Sequence, residues 1–82
     1  MVTVLRADEL RVVIYLNDHL PAHVHVFGDG EVKIDPSGRG AAVDLVWGDR
    51  ASRSEVRRAM RLVAGNRSML LQRWEDIHGR AE

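Results

Sequence analysis

The chain contains no cysteine and a single lysine. The missing thiols exclude disulfides and thiolate metal sites. The near-absence of lysine leaves eleven arginines to carry the positive charge, and arginine forks onto phosphates and carboxylates better than lysine does. No apolar run approaches the roughly 20 residues that a membrane span needs. The opening MVTVLRADEL lacks the basic start and apolar core of a signal peptide. These absences lead us to expect a cytoplasmic protein of bacterial style, with no membrane partner. With 82 residues, 45% hydrophobic and 29% charged, the expectation is one domain over residues 1–82 with a small core.

Net charge is zero but unevenly spread. Residues 1–49 carry four basic and eight acidic groups, a balance of −4. Residues 50–73 carry seven arginines against Glu55, a balance of +6. An arginine-rich stretch is most simply a solvated helix face; the alternative is a contact for nucleic acid or an acidic protein.

Strand signals come first. LRVVIYLN (10–17) is β-branched and aromatic-rich, HVHVF (23–27) alternates, and EVKID (31–35) follows the GDG turn. AAVDLVW (41–47) adds another strand beyond the PSGRG loop, and VTVLR (2–6) a short edge. A two-residue turn at Asp29-Gly30 would leave both faces of the 23–35 hairpin mixed. A three-residue turn, with Gly30 left-handed, pairs Phe27 with Glu31 and separates the faces. Val24, Val26, Val32 and Ile34 then share one side. His23, His25, Phe27, Glu31, Lys33 and Asp35 share the other. A one-residue slip would exchange every side chain between faces, so the separating register is expected. It sets His23 near Asp35 and His25 near Lys33.

Beyond residue 51 the pattern is helical. Ser52 and Glu55 fit a capping box. Apolar residues at Val56, Met60, Val63, Leu70, Trp74 and Ile77 keep one phase through Gly65-Asn66, which predicts one long helix, although Gly-Asn is also a stop signal. A helix over 53–78 would be about 39 Å long, against about 20 Å for a six-residue strand. Either it breaks at Gly65 and folds back, or Leu70, Leu71, Trp74 and Ile77 overhang and meet another chain. The expected fold is α+β: an antiparallel meander of four to five strands with a long C-terminal helix packed on one face.

Three of four histidines fall at 19, 23 and 25. On a strand, His23 and His25 project from one face about 7 Å apart. Three readings stay open. With His19 they could hold zinc, although no clear carboxylate ligand completes that pattern. They could work as acid and base on RNA, with Asp35 orienting His23, Tyr15 and Asp18 assisting, and an arginine steadying the phosphorane. Or they could be a polar sheet face bonded to Asp35 and Asp44. His78 reads as a helix-end histidine favoured by the dipole, and Trp47 and Trp74 as core or interface.

The stretch NDHLPAHVHVFGDGEVKID, with MVTVLR before it and MLLQRWEDIHG after, resembles domain-of-unknown-function family 4160. Members carry histidine and prolines, then histidine–aromatic–histidine, a turn, an acidic strand and a tryptophan-bearing C-terminal helix. Here Ala22 stands where a second proline is usual, and Val24 where an aromatic is usual. The resemblance implies a gene neighbour of family 2442 and, for some such pairs, a type II toxin–antitoxin module with this chain on the toxin side.

Together these give the functional expectation. The chain is a toxin-like component acting on RNA or the translation apparatus. His19, His23, His25 and Asp35 are the catalytic candidates, and Tyr15, Arg57, Arg58, Arg61 and Trp74 the binding ones. The expected partners are a cognate small antitoxin-like protein, RNA and a second copy of the chain. No cofactor or metal is assigned. The competing readings are a non-enzymatic binding or antitoxin-like module, and a histidine metal site.

Overall fold

A computed structural model describes residues 1–19, 21–37 and 43–79. Five strands form one antiparallel sheet in the order β1-β2-β3-β4-β5. They are β1 (Val2–Ala7), β2 (Leu10–Ile14), β3 (Val24–Phe27), β4 (Glu31–Asp35) and β5 (Asp44–Asp49). Two helices follow, α1 (Arg53–Gly65) and α2 (Arg67–His78). The architecture is therefore the α+β meander, but with a helix pair in place of one long helix. Residues 38–42, which include most of the expected PSGRG loop and the start of the strand expected at 41–47, lie outside the described residues.

The hairpin register is the face-separating one. Val24 pairs with Ile34, His25 with Lys33, Val26 with Val32 and Phe27 with Glu31. Gly30 has no positive φ, which corrects the left-handed turn expected there. It is small for another reason: a Cβ at Gly30 would come within 2.4 Å of the Asp49 and Arg50 backbone. Glu55 closes the same turn from the helix. Its carboxylate is buried (3% exposed) and accepts from the backbone N–H groups of Asp29 (2.8 Å) and Gly30 (2.9 Å). The cap is thus half the expected box. Ser52 Oγ accepts from the Glu55 N–H at 3.1 Å, while the Glu55 side chain reaches the β3–β4 turn. A carboxylate in a helix's first turn is also favoured by the helix dipole.

The first hairpin turns at Asp8 and Glu9, both with positive φ (52° and 64°). Two-residue hairpin turns of the I′ kind need that conformation, and glycine or asparagine usually supplies it. No sequence signal marked this turn.

Val12, Ile14, Val24, Val26, Val32 and Ile34 line the sheet face that packs against Ala59, Val63, Leu70 and Trp74 of the helices. The helical rod stops at Asn66. The Asn66 N–H donates to the Val63 carbonyl (3.1 Å), its Nδ2 to the Leu62 carbonyl (2.9 Å), and its own carbonyl accepts from the Leu70 N–H (3.0 Å). The break lets Leu70 and Trp74 reach the core, which a straight rod of about 39 Å would overrun, the longest extent of the molecule being 34 Å. The expected overhang, with Leu70 and Trp74 left for another chain, is therefore absent. Arg67, at the gap in the apolar stripe, donates from Nε to the Pro36 carbonyl at 2.8 Å. Among the described residues no helix is long and apolar enough to cross a membrane.

Candidate functional site

Strand alternation sends the odd-numbered residues of β3 away from the helices. His23 and His25 therefore emerge on the open face of the sheet, with ring centroids 5.3 Å apart. Both are nonetheless 7% exposed. Tyr15 meets His25 edge-on at 4.5 Å, and Trp47 approaches it at 6.2 Å. Aromatic rings and neighbouring side chains, with no helix, cover this pair.

Each imidazole is held by its own acceptor. His23 Nδ1 donates to the Pro21 carbonyl at 2.9 Å. His25 Nδ1 donates to Glu31 Oε2 at 2.8 Å. Glu31 lies diagonal to His25 across the hairpin, beside Lys33, the residue directly opposite; long side chains bridge such diagonals. Asp18 completes the group. The Tyr15–Asp18 turn folds its carboxylate back, so that Oδ2 accepts from the Tyr15 N–H (3.1 Å) and Oδ1 lies 3.1 Å from His23 Nε2. Burial, with the Glu31 and Asp18 carboxylates adding to it, pushes the Tyr15 phenol above its ordinary value. It stands as a neutral hydroxyl beside the site.

The expected partners of the histidines differ from the observed ones. Asp35 lines the same cleft as His23, but its Oδ1 accepts from the Ser37 N–H and hydroxyl. Asp44 pairs with Asp35 in the sheet ladder and is exposed. Asp18 and Glu31 take the roles expected of Asp35 and Asp44. The physical reason is where β3 begins: pairing starts at Val24, so His23 sits just outside the ladder, beside the turn that presents Asp18. His19 is exposed and lines the cleft, of about 310 Å³, with Asn17, Asp18, His23, Lys33 and Asp35.

The binding candidates divide. Tyr15 is in the site. Arg57, Arg58 and Arg61 are on α1, which packs on the opposite side of the sheet, so no helix arginine accompanies the histidines. Arg58 donates to the Asp8 carbonyl (3.3 Å) and, with Arg61, borders a separate polar cleft beside Asp8 and Glu9. Among the described residues no carboxylate pairs with these three arginines. Trp74 is 2% exposed and packs in the core, its ring 4.3 Å from that of His78. Sequence reasoning missed Glu31 and gave Lys33 no role. The signal for Glu31 was present in the hairpin register, which placed it one diagonal step from His25.

A family model described as Domain of unknown function (DUF4160) matches residues 10–75. No curated protein and no solved structure matches the chain.

Proposed function

The chain belongs to the DUF4160 family, and from the geometry of its histidine cleft we propose that it is the toxin-like component of a bacterial type II toxin–antitoxin module, acting on RNA in the cytoplasm. The observation that carries this reading is the pair of buried imidazoles. They lie on the face that the helices leave free, each oriented by a separate acceptor, with the Asp18 carboxylate against one of them. A ring of fixed orientation at a cleft, His23, backed by a second one, His25, supports activation of an attacking oxygen there. Lys33, at the cleft wall, is the cation placed to meet a phosphate; this role passes to it because the arginines lie on the other side.

Those arginines suit the cognate antitoxin-like protein. Arg57 and Arg61 are exposed and lack carboxylate partners within the described chain, a surface to which an acidic segment is complementary. Working face and inhibited face are then separate. Expressed alone, the chain should arrest growth, and His23→Gln should relieve the arrest while its circular dichroism matches the parent's. Arrest that persists in the folded variant removes the histidines from the mechanism.

One observation favours a second reading, a non-enzymatic binding module. Leu45, Val46 and Trp47 are exposed along β5, one of the sheet's two edge strands, and an apolar edge strand is a template for pairing with another chain. Harmless expression of the chain alone would select this reading.

A further inference from the structure

We propose that Asp18, His23 and His25 form a binding site for one divalent transition-metal ion of the zinc type. The inference deepens the reading of the histidine cleft as the working site, but the binding itself does not depend on toxicity.

The argument begins with protons. A carbonyl oxygen can only accept, so His23 Nδ1, 2.9 Å from the Pro21 carbonyl, carries a hydrogen. An ionised carboxylate likewise only accepts, so His25 Nδ1, 2.8 Å from Glu31, carries one too. In a neutral imidazole each Nε2 is then a lone pair. His23 Nε2 points its lone pair at Asp18 Oδ1, 3.1 Å away, and two acceptors at that distance repel. Either a second proton or a cation must lie between them. His25 Nε2 is buried with no hydrogen-bond partner among the described residues. Adding a proton there would replace an orphaned acceptor with an orphaned donor, whereas a metal ion would satisfy it.

Geometry agrees. One ligand atom from each of Asp18, His23 and His25 can be chosen so that all three lie within 4.8 Å of one another. Ligands at about 2.0–2.1 Å from a tetrahedral zinc are about 3.4 Å apart, so small side-chain rotations suffice to close the group around an ion. The outer contacts have the form found behind metal-bound histidines, in which the far nitrogen donates to a carbonyl or a carboxylate and thereby fixes the tautomer. Asp18 is also held in place, since its other oxygen accepts from the Tyr15 N–H. The charges facing the group are the Glu31 and Asp35 carboxylates, the Lys33 ammonium and the Arg11 guanidinium, which lies over Phe27 on the same face; these balance, so the Asp18 carboxylate is the net negative charge offered to an ion. Two histidines and one carboxylate leave at least one coordination position open toward the cleft, the pattern of a catalytic site instead of a closed structural one. Water bound there is the oxygen such a site would activate.

The test uses the full chain purified without a polyhistidine tag, stripped with chelator and titrated with Zn²⁺ and Co²⁺. One equivalent should bind per chain, with visible Co²⁺ absorption bands of four-coordinate intensity and a thermal midpoint that rises with metal concentration. Asp18→Asn and His25→Gln should abolish the bands. Glu31→Gln, at a residue that touches no metal, should weaken binding about 10–100-fold. His78→Gln should bind like the parent. If His25→Gln fails to fold, Asp18→Asn and Glu31→Gln still decide the matter, because both are partly exposed. Binding well below one equivalent, or unchanged binding in Asp18→Asn, overturns the site. The two readings fail separately: toxicity without metal binding removes the metal and leaves the RNA reading, whereas metal binding by a harmless chain removes only the toxin reading.

Discussion

The two faces of the sheet are built from the same strands and are buried in different ways. On the helix side, Val12, Ile14, Val24, Val26, Val32 and Ile34 are at most 1% exposed, covered by Ala59, Val63, Leu70 and Trp74. On the open side, His23 and His25 are almost as inaccessible, yet their neighbours are Tyr15, Trp47, Glu31 and Asp18. The first face is stabilised by non-directional apolar burial. The second is a set of directed contacts, each of which fixes one ring. Burial alone therefore does not distinguish a core from a site in this molecule; the kind of neighbour does.

Adjacent residues on β4 give the sharpest contrast. Ile34→Ala should cost about 2–5 kcal/mol, as for other large-to-small changes in a packed core, measurable by urea unfolding. Lys33→Ala, one position away on the other face, should stay within about 0.5 kcal/mol while relieving growth arrest. Equal losses of stability would erase the distinction between the faces. Glu55 ties the helix layer to the end of the β3–β4 hairpin. Glu55→Ala should cost about 2–3 kcal/mol, because it removes two charge-assisted bonds, and hydrogen exchange at Asp29 and Gly30 should accelerate.

Smaller effects sharpen the picture. A Cβ at Gly65 meets nothing within 4 Å, and the residue has no positive φ. Gly65→Ala should therefore raise stability by about 0.5–1 kcal/mol through helix propensity. A loss would show that the break at Asn66 depends on Gly65. The smallest effect is read from the chain's one tyrosine. Absorbance titration of metal-free protein should place its phenol above the ordinary value of about 10, because burial and the carboxylates around it oppose ionisation. Its contribution to folding is fully present below the unfolded value and is lost as pH rises through the folded one. A midpoint at or below the unfolded one would mean that Tyr15 does not pack against the histidine face.

Much of the fold was legible. Alternation in residues 23–35 specified both faces and the pairing of Val24 with Ile34, since only one register separates apolar from polar residues. Ser52 announced the start of α1. The hairpin at Asp8-Glu9 was not legible, because Asp8 tolerates positive φ but Glu9 is not a usual source of it, and no glycine or asparagine marks the turn. The helix break was legible only as an alternative: Gly65-Asn66 offered a stop signal and a long rod outran the sheet, but the apolar phase runs unchanged through the pair and favoured one helix.

The amino-acid order by itself determined which side chains share a face and that two imidazoles project together, because those properties depend on strand and helix periods within a few residues. Only the tertiary structure decided which carboxylates meet them: Asp18 from the Tyr15–Asp18 turn, five residues before His23, and, of the acidic residues that the register puts on this face, Glu31 from across the hairpin, with Asp35 turned toward Ser37. It also decided that the arginines of α1 stand behind the sheet, out of reach of the histidines. Such pairings depend on where a strand begins and which side of the sheet a helix covers, and these are settled by packing among distant segments.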